Sequence, residues 1–119
     1  MIILHHYALS PFSEKLRLMF GYADLPWQSL LSPEMPPRPN LDPLTGGYRR
    51  IPVAQVGADL FCDTRLICDE ISALAGKPQL ATHQGTASTQ AYAADLESTV
   101  FWACVLSIPV GVTLTQLVR

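Results

Sequence analysis

Charge is scarce in this chain. Asp, Glu, Lys and Arg make up 15% of its 119 residues and sum to a net charge of −2. So weak a field gives no reason to expect a nucleic acid or an anionic membrane as partner. The charges also lie early: beyond residue 77 only Asp95, Glu97 and Arg119 remain. Cysteine is sparse as well. Cys62, Cys68 and Cys104 are odd in number and form no C-x-x-C, which argues against a disulfide framework and for a reducing, cytoplasmic setting. Met1-Ile2-Ile3-Leu4 lacks the basic leader and cleavage site of a secretion signal. There is no G-x-S-x-G, no phosphate-binding Gly loop and no basic-aromatic stripe. No Cys, His or carboxylate spacing completes a zinc site, so no metal is expected. His5 and His6 are neighbours on a presumed strand and should face opposite sides.

Hydrophobic residues, by contrast, reach 49% of the chain, enough for a folded core. Ile2 to Tyr7 is β-prone and reads as a buried first strand. Ser10 then offers an N-cap, and Pro11 suits the first helical position. Phe12, Leu16, Met19 and Phe20 recur on one helix face, and Gly21 is expected to close that helix. Trp27 to Leu31 is a second strand. Residues 32–47 carry Pro33, Pro36, Pro37, Pro39, Pro43, Gly46 and Gly47, which leaves room for no more than a short helical turn. Ile51 to Val56 and Leu60 to Cys62, joined by Gly57-Ala58-Asp59, read as a hairpin. Asp63-Thr64 caps a helix whose apolar face is Leu66, Ile67, Ile71 and Leu74, ended by Gly76-Lys77-Pro78.

The order is strand, helix, strand, irregular segment, hairpin, helix. It predicts an α/β fold, a βαβ unit followed by a ββα unit on one mixed sheet, as in thioredoxin. Domains are expected at 1–77 and 88–119, with 78–87 as linker. The second begins with a helix capped by Ser88 or Thr89, with Tyr92, Leu96 and Val100 on one face. Ser98 to Val118 has no charge and is long enough to span a bilayer. Its Ser, Thr, Gln, Gly and Pro content favours a helix meant for a protein core, broken or kinked at Pro109.

Three short segments carry chemistry. Ser10 lies at a helix N-terminus, where free N–H groups and the macrodipole favour an anion. Its hydroxyl can donate to a thiolate, and a thiol with a pKa of about 8.5 needs such help to ionise at neutral pH. Position alone favours a plain helix cap. Ile51-Pro52 sits at a strand start. A cis bond there would turn the Ile51 N–H and C=O outward to pair with an extended peptide, although trans proline is commoner. Thr64 offers a hydroxyl and an N–H to a carboxylate, and Asp63 and Thr64 are both also common as caps. Arg17, Arg49, Arg50 and Arg65 either meet carboxylates of a ligand or solvate the surface. Cys62 and Cys68 either sit near the site or, the favoured reading, are small core residues.

Leu9-Ser10-Pro11-Phe12-Ser13, Arg50-Ile51-Pro52-Val53 and Cys62-Asp63-Thr64-Arg65, in this order and spacing, resemble the glutathione-binding domain of cytosolic glutathione S-transferases. The resemblance runs from Met1 to about Lys77. It places Ser10 on the position of the catalytic Ser or Cys, and Ser13 on the second position of the thioredoxin C-x-x-C. Both thiols are absent, so disulfide exchange, which needs an attacking thiolate, is set aside. The resemblance implies that Ser10 stabilises the thiolate of glutathione; Ser13 is either a helper or, the favoured reading, a plain first-turn helix residue. It implies that Ile51 and Pro52 bind the cysteinyl part, and that Asp63 and Thr64 hold the γ-glutamyl end.

Glutathione would be the co-substrate and a hydrophobic electrophile the second substrate, in a detoxifying, cytoplasmic homodimer with no metal. Residues 88–119 resemble the start of the family's all-helical second domain, which leaves Val100, Phe101, Trp102, Val105, Leu106 and Ile108 with little to pack against. A fragment of a longer protein is therefore expected. The alternatives are a non-catalytic glutathione-binding or protein-interaction scaffold, and an inactive truncated form.

Overall fold

The first apolar run becomes a central strand of a sheet. In the computed structural model, which describes residues 1–108, β1 (Ile2–His6) pairs in parallel with β2 (Trp27–Leu31) and antiparallel with β3 (Val53–Val56). β3 pairs antiparallel with β4 (Asp59–Phe61), so the order is β2-β1-β3-β4. The parallel pair requires a crossover, and α1 (Pro11–Ala23) supplies it. α2 (Asp42–Thr45) is a single turn within the proline-rich segment, and α3 (Thr64–Ala75) follows β4. This is the mixed α/β sheet of a thioredoxin-like fold.

The core of this unit lies between the sheet and the two long helices. Leu4 of β1, Leu16 and Phe20 of α1, Ala54 of β3 and Ile67 and Ile71 of α3 are all buried in it. Phe20 stacks on Trp27 with ring centroids 5.4 Å apart. Leu80 also joins this core from a 3₁₀ turn at Pro78–Leu80. The unit accordingly runs Met1–Ala81, and a second begins at Thr82.

Several boundaries differ from expectation. α1 does not stop at Gly21. Ala23 continues the buried stripe of Leu16 and Phe20, and burying it outweighs the roughly 1 kcal/mol a helical Gly costs. The helix ends instead at Asp24, in the left-handed region at φ 56°, whose N–H meets the Gly21 and Phe20 carbonyls. The inner face of α3 is Ile67, Cys68 and Ile71, while Leu66 and Leu74 are exposed. β3 starts at Val53, not Ile51: its last register pair is His5 with Val53, and Pro52 has no N–H to extend the ladder.

In the second unit, α4 (Ala87–Asp95) is capped by Thr86, whose Oγ accepts the Thr89 N–H at 3.3 Å, so neither Ser88 nor Thr89 is the cap. A wider π turn over Leu96–Val100 leads into α5 (Phe101–Ser107). There the Phe101 N–H reaches back five residues to Leu96. Ser98 Oγ donates to the Ala94 carbonyl at 2.7 Å, a bond that competes with the helical ladder and accompanies its widening. Tyr92, Leu96 and Val100 are exposed, as are Trp102, Leu106 and Ile108. No helix among the described residues is long and apolar enough to cross a membrane. The expected break at Pro109 lies outside the described residues.

Candidate functional site

The β4–α3 junction shapes one wall of a pocket. β4 ends at Phe61, Cys62 follows, and Asp63 caps α3: its Oδ1 accepts the Arg65 N–H at 2.8 Å. A carboxylate there is favoured by the helix dipole as well as by the bond. The cap leaves the Thr64 and Leu66 amides at the helix start, neither bonded to another described residue. Free N–H groups at this end of a helix suit a carboxylate.

The opposite wall comes from the chain entering β3. The Ile51–Pro52 peptide bond is cis. Ile51 precedes the ladder, and its N–H and C=O take no backbone bond with the described residues. Tyr48 and Arg50 stand just before it, and Phe12 of α1 completes the enclosure. Together Phe12, Tyr48, Arg50, Ile51, Pro52, Cys62, Asp63 and Thr64 line a pocket of about 110 Å³. That is well short of the roughly 300 Å³ at which pockets for drug-sized ligands begin. It has room for one end of such a molecule.

The four residues that the resemblance assigned to holding glutathione, Ile51, Pro52, Asp63 and Thr64, thus meet in one place. Ser10 is not among the lining residues. It is 2% exposed, and its Oγ accepts the Ser13 N–H at 3.1 Å as the N-cap of α1. The hydroxyl hydrogen of Ser10 is left over by that bond. Ser13 is fully buried, and its Oγ has no hydrogen-bond partner. Of the four arginines considered, Arg50 lines the pocket. Arg17 turns instead to His6, Ala8 and Glu14. Arg49 and Arg65 are exposed.

Cys62 corrects an expectation, because it lines the pocket and is half-buried, whereas Cys68 is in the core as anticipated. Burial pushes the Cys62 thiol up, away from the reactive thiolate. Tyr48 was missed. Its phenol is raised by burial first and then by the Asp63 carboxylate, with Arg50 opposing and Cys62 adding to the rise. It therefore stays a neutral donor facing Asp63 and Arg50. Its place directly before Arg49-Arg50-Ile51-Pro52 was the available signal. No group of three or more His, Cys, Asp or Glu among the described residues is placed to hold a metal ion.

Chemically, the pocket offers an arginine, a neutral phenol, free amides at a helix start and the unpaired backbone N–H and C=O of Ile51. That set suits a short peptide carrying a carboxylate, paired as an added strand.

The family model of the glutathione S-transferase N-terminal domain matches residues 4–79. No curated protein matches the chain. Among solved structures, a GST-like protein from Pseudomonas syringae is 42% identical over 88% of this chain and 38% of its own length, with a TM-score of 0.73. A glutathione S-transferase from Rhodospirillum rubrum F11 is 20% identical over 81% of this chain and 43% of its own, with a TM-score of 0.60. Glutathione transferase Omega 2S from Trametes versicolor, solved in complex with 2,4-dihydroxybenzophenone, is 11% identical over 76% of this chain and 44% of its own, at 0.53. The last two show likeness of fold alone. The chain spans about two fifths of the length of these relatives, 38% of the first.

Proposed function

The chain belongs to the glutathione S-transferase family, and from that premise we propose that it binds glutathione in the Tyr48–Thr64 pocket and presents the thiol to a hydrophobic electrophile. The observation that carries this is the convergence of Ile51, Pro52, Asp63 and Thr64, separated in sequence, on one small pocket with Arg50. One carboxylate of the tripeptide meets the α3 N-terminus at Thr64. The peptide backbone pairs with the open Ile51 N–H and C=O. Arg50 faces the charge.

In this reading the thiol comes to the start of α1, where the spare hydroxyl hydrogen of Ser10 is donated to the thiolate. Holding the sulfur in its anionic form raises the population of the attacking species. The thiolate sulfur bonds to an electrophilic carbon: in a substitution the leaving group departs with the electron pair of the bond it breaks, and in an addition the displaced π pair moves onto the acceptor and takes up a proton from water. The family's dimer and its second substrate belong to the same proposal.

The burial of Ser10 favours a second reading, a binding module without turnover. Melting the protein with and without millimolar glutathione tests the binding. A ligand that binds only the folded state raises the melting temperature with saturation. An upward shift that shrinks in Thr64→Val supports the pocket, and a cooperative melt with no shift rejects it. Turnover with several electrophiles then separates the enzyme from the module.

A further inference from the structure

Arg38 is the only Lys, Arg, Asp or Glu buried among the described residues, at 3% exposure. It lies in the proline-rich segment, outside every motif. Taking a charge out of water is costly unless hydrogen bonds replace the lost hydration. Here three backbone carbonyls do so, and no carboxylate among the described residues meets the guanidinium. Nε donates to Pro33 O at 2.8 Å, Nη2 to Glu34 O at 2.7 Å and Nη1 to Arg49 O at 2.5 Å.

The bonds span the segment from end to end. Pro33 and Glu34 follow β2, and Arg49 precedes Arg50-Ile51-Pro52. The backbone of Arg38 is tied as well: its N–H donates to Asp42 Oδ2 at 2.8 Å, and its carbonyl accepts the Leu41 and Asp42 amides. The Arg49 carbonyl belongs to the Arg49–Arg50 peptide, and the residues on either side of Arg49, Tyr48 and Arg50, both line the pocket. Only a planar fork of donors reaches three carbonyls in this way. A lysine ammonium, a single point at the end of a flexible stem, does not.

We propose that Arg38 is the positioning residue of the pocket: by clasping the Pro33, Glu34 and Arg49 carbonyls it holds the Tyr48–Pro52 wall where a peptide ligand is received. Arg38 does not line the pocket and acts through the Arg49 peptide. The identity of the ligand rests on the glutathione reading above; the clasp itself does not.

Arg38→Lys and Arg38→Gln test it by two measurements. The first is the glutathione dissociation constant by calorimetry. The second is the rate of Cys62 alkylation by iodoacetamide, mapped by mass spectrometry against exposed Cys104 in the same chain. Both variants are expected to melt cooperatively, to bind glutathione at least tenfold more weakly, and to alkylate Cys62 several-fold faster at an unchanged Cys104 rate. A role in folding alone would lower the melting temperature and leave the dissociation constant of the folded fraction and the Cys62-to-Cys104 ratio unmoved; that result overturns the proposal. If the wild type takes up no glutathione, the functional reading falls, and the alkylation ratio still decides the role of Arg38. If neither variant folds, wild-type protein in rising urea replaces them. Cys62 should then open together with the Leu41 and Asp42 amides that Arg38 O holds, and opening of Cys62 apart from them overturns the clasp.

Discussion

Arg17 donates a guanidinium N–H to Nδ1 of His6 at 2.8 Å. Arginine has no lone pair to accept with, so Nδ1 is bare and the ring hydrogen sits on Nε2, 2.6 Å from Ser29 Oγ. Arg17 also donates to the Ala8 carbonyl at 3.0 Å and pairs with Glu14 at 2.6 Å. One side chain thus ties the end of β1, the loop before Ser10 and the first turn of α1. Burial, and then the Arg17 charge, hold His6 below its ordinary pKa of 6.5.

The sign of the resulting pH dependence follows. The unfolded chain takes up a proton on His6 at a higher pH than the folded chain does. Stability is therefore full above about 6.5, the unfolded value, and falls as pH drops below it towards the folded pKa. Melting temperature should decline from pH 7.5 to pH 5.5. His6→Gln should flatten part of that decline, and an equal slope in the variant would remove His6 as its source.

Ser10→Ala removes the cap of α1 and should cost about 1 kcal/mol of stability, as N-cap replacements commonly do. If Ser10 also serves the thiolate, turnover falls by a larger factor while glutathione binding changes little. Ser10→Thr keeps the oxygen and should recover both. Denaturant melts and initial rates on the same preparations separate the two roles.

Asp63→Ala should likewise cost about 1 kcal/mol by uncapping α3, and Asp63→Asn should restore most of it. The glutathione-induced rise in melting temperature reports whether the loosened helix start also weakens the ligand. An unaltered rise in Asp63→Ala would take Asp63 out of the binding site.

The three thiols should react in the order Cys104, Cys62, Cys68. Cys104 is exposed, Cys62 is half-buried with its thiol pushed up by burial, and Cys68 is 2% exposed, its Sγ 3.5 Å from Met19 Sδ. Time-resolved alkylation with peptide mapping gives the order directly.

The periodic parts of the chain were readable in advance. Leu16 and Phe20 at helical spacing, the β-prone run from Ile2 and the hairpin around Gly57 all declared their elements, because alternation and helical repeat express burial on one face. The βαβ-ββα order followed from them. Ile51, Pro52, Asp63 and Thr64 could be grouped only by resemblance, since nothing local in Asp63-Thr64 separates a cap from a ligand site.

Residues 32–50 were opaque for a physical reason. Prolines dictate where a helix stops, not where the chain goes next, so the path of this segment rests on single contacts such as Arg38 with the Arg49 carbonyl. Tyr48 reaches the pocket along that path and could not be placed without it. Leu66 and Leu74 were misjudged because an apolar residue on a helix flank fits the repeat almost as well as one on the buried arc; their exposure, 54% and 48%, decides against them.

The least exposed positions along the second unit's helix are Ala93, Glu97, Phe101 and Val105, four residues apart. In an uninterrupted α-helix, at about 100° per residue, that series would wander by roughly 120°. The wide turn at Leu96–Val100 takes up one residue and cuts the drift to roughly 20°, so the series stays on one side. Residue number in this stretch therefore works as an angle. Deleting one residue between Leu96 and Val100 would turn the wide turn into an ordinary helical one and keep Phe101 and Val105 on the side of Ala93, whereas inserting one residue into the regular helix between Phe101 and Val105 would swing Val105 about 100° away.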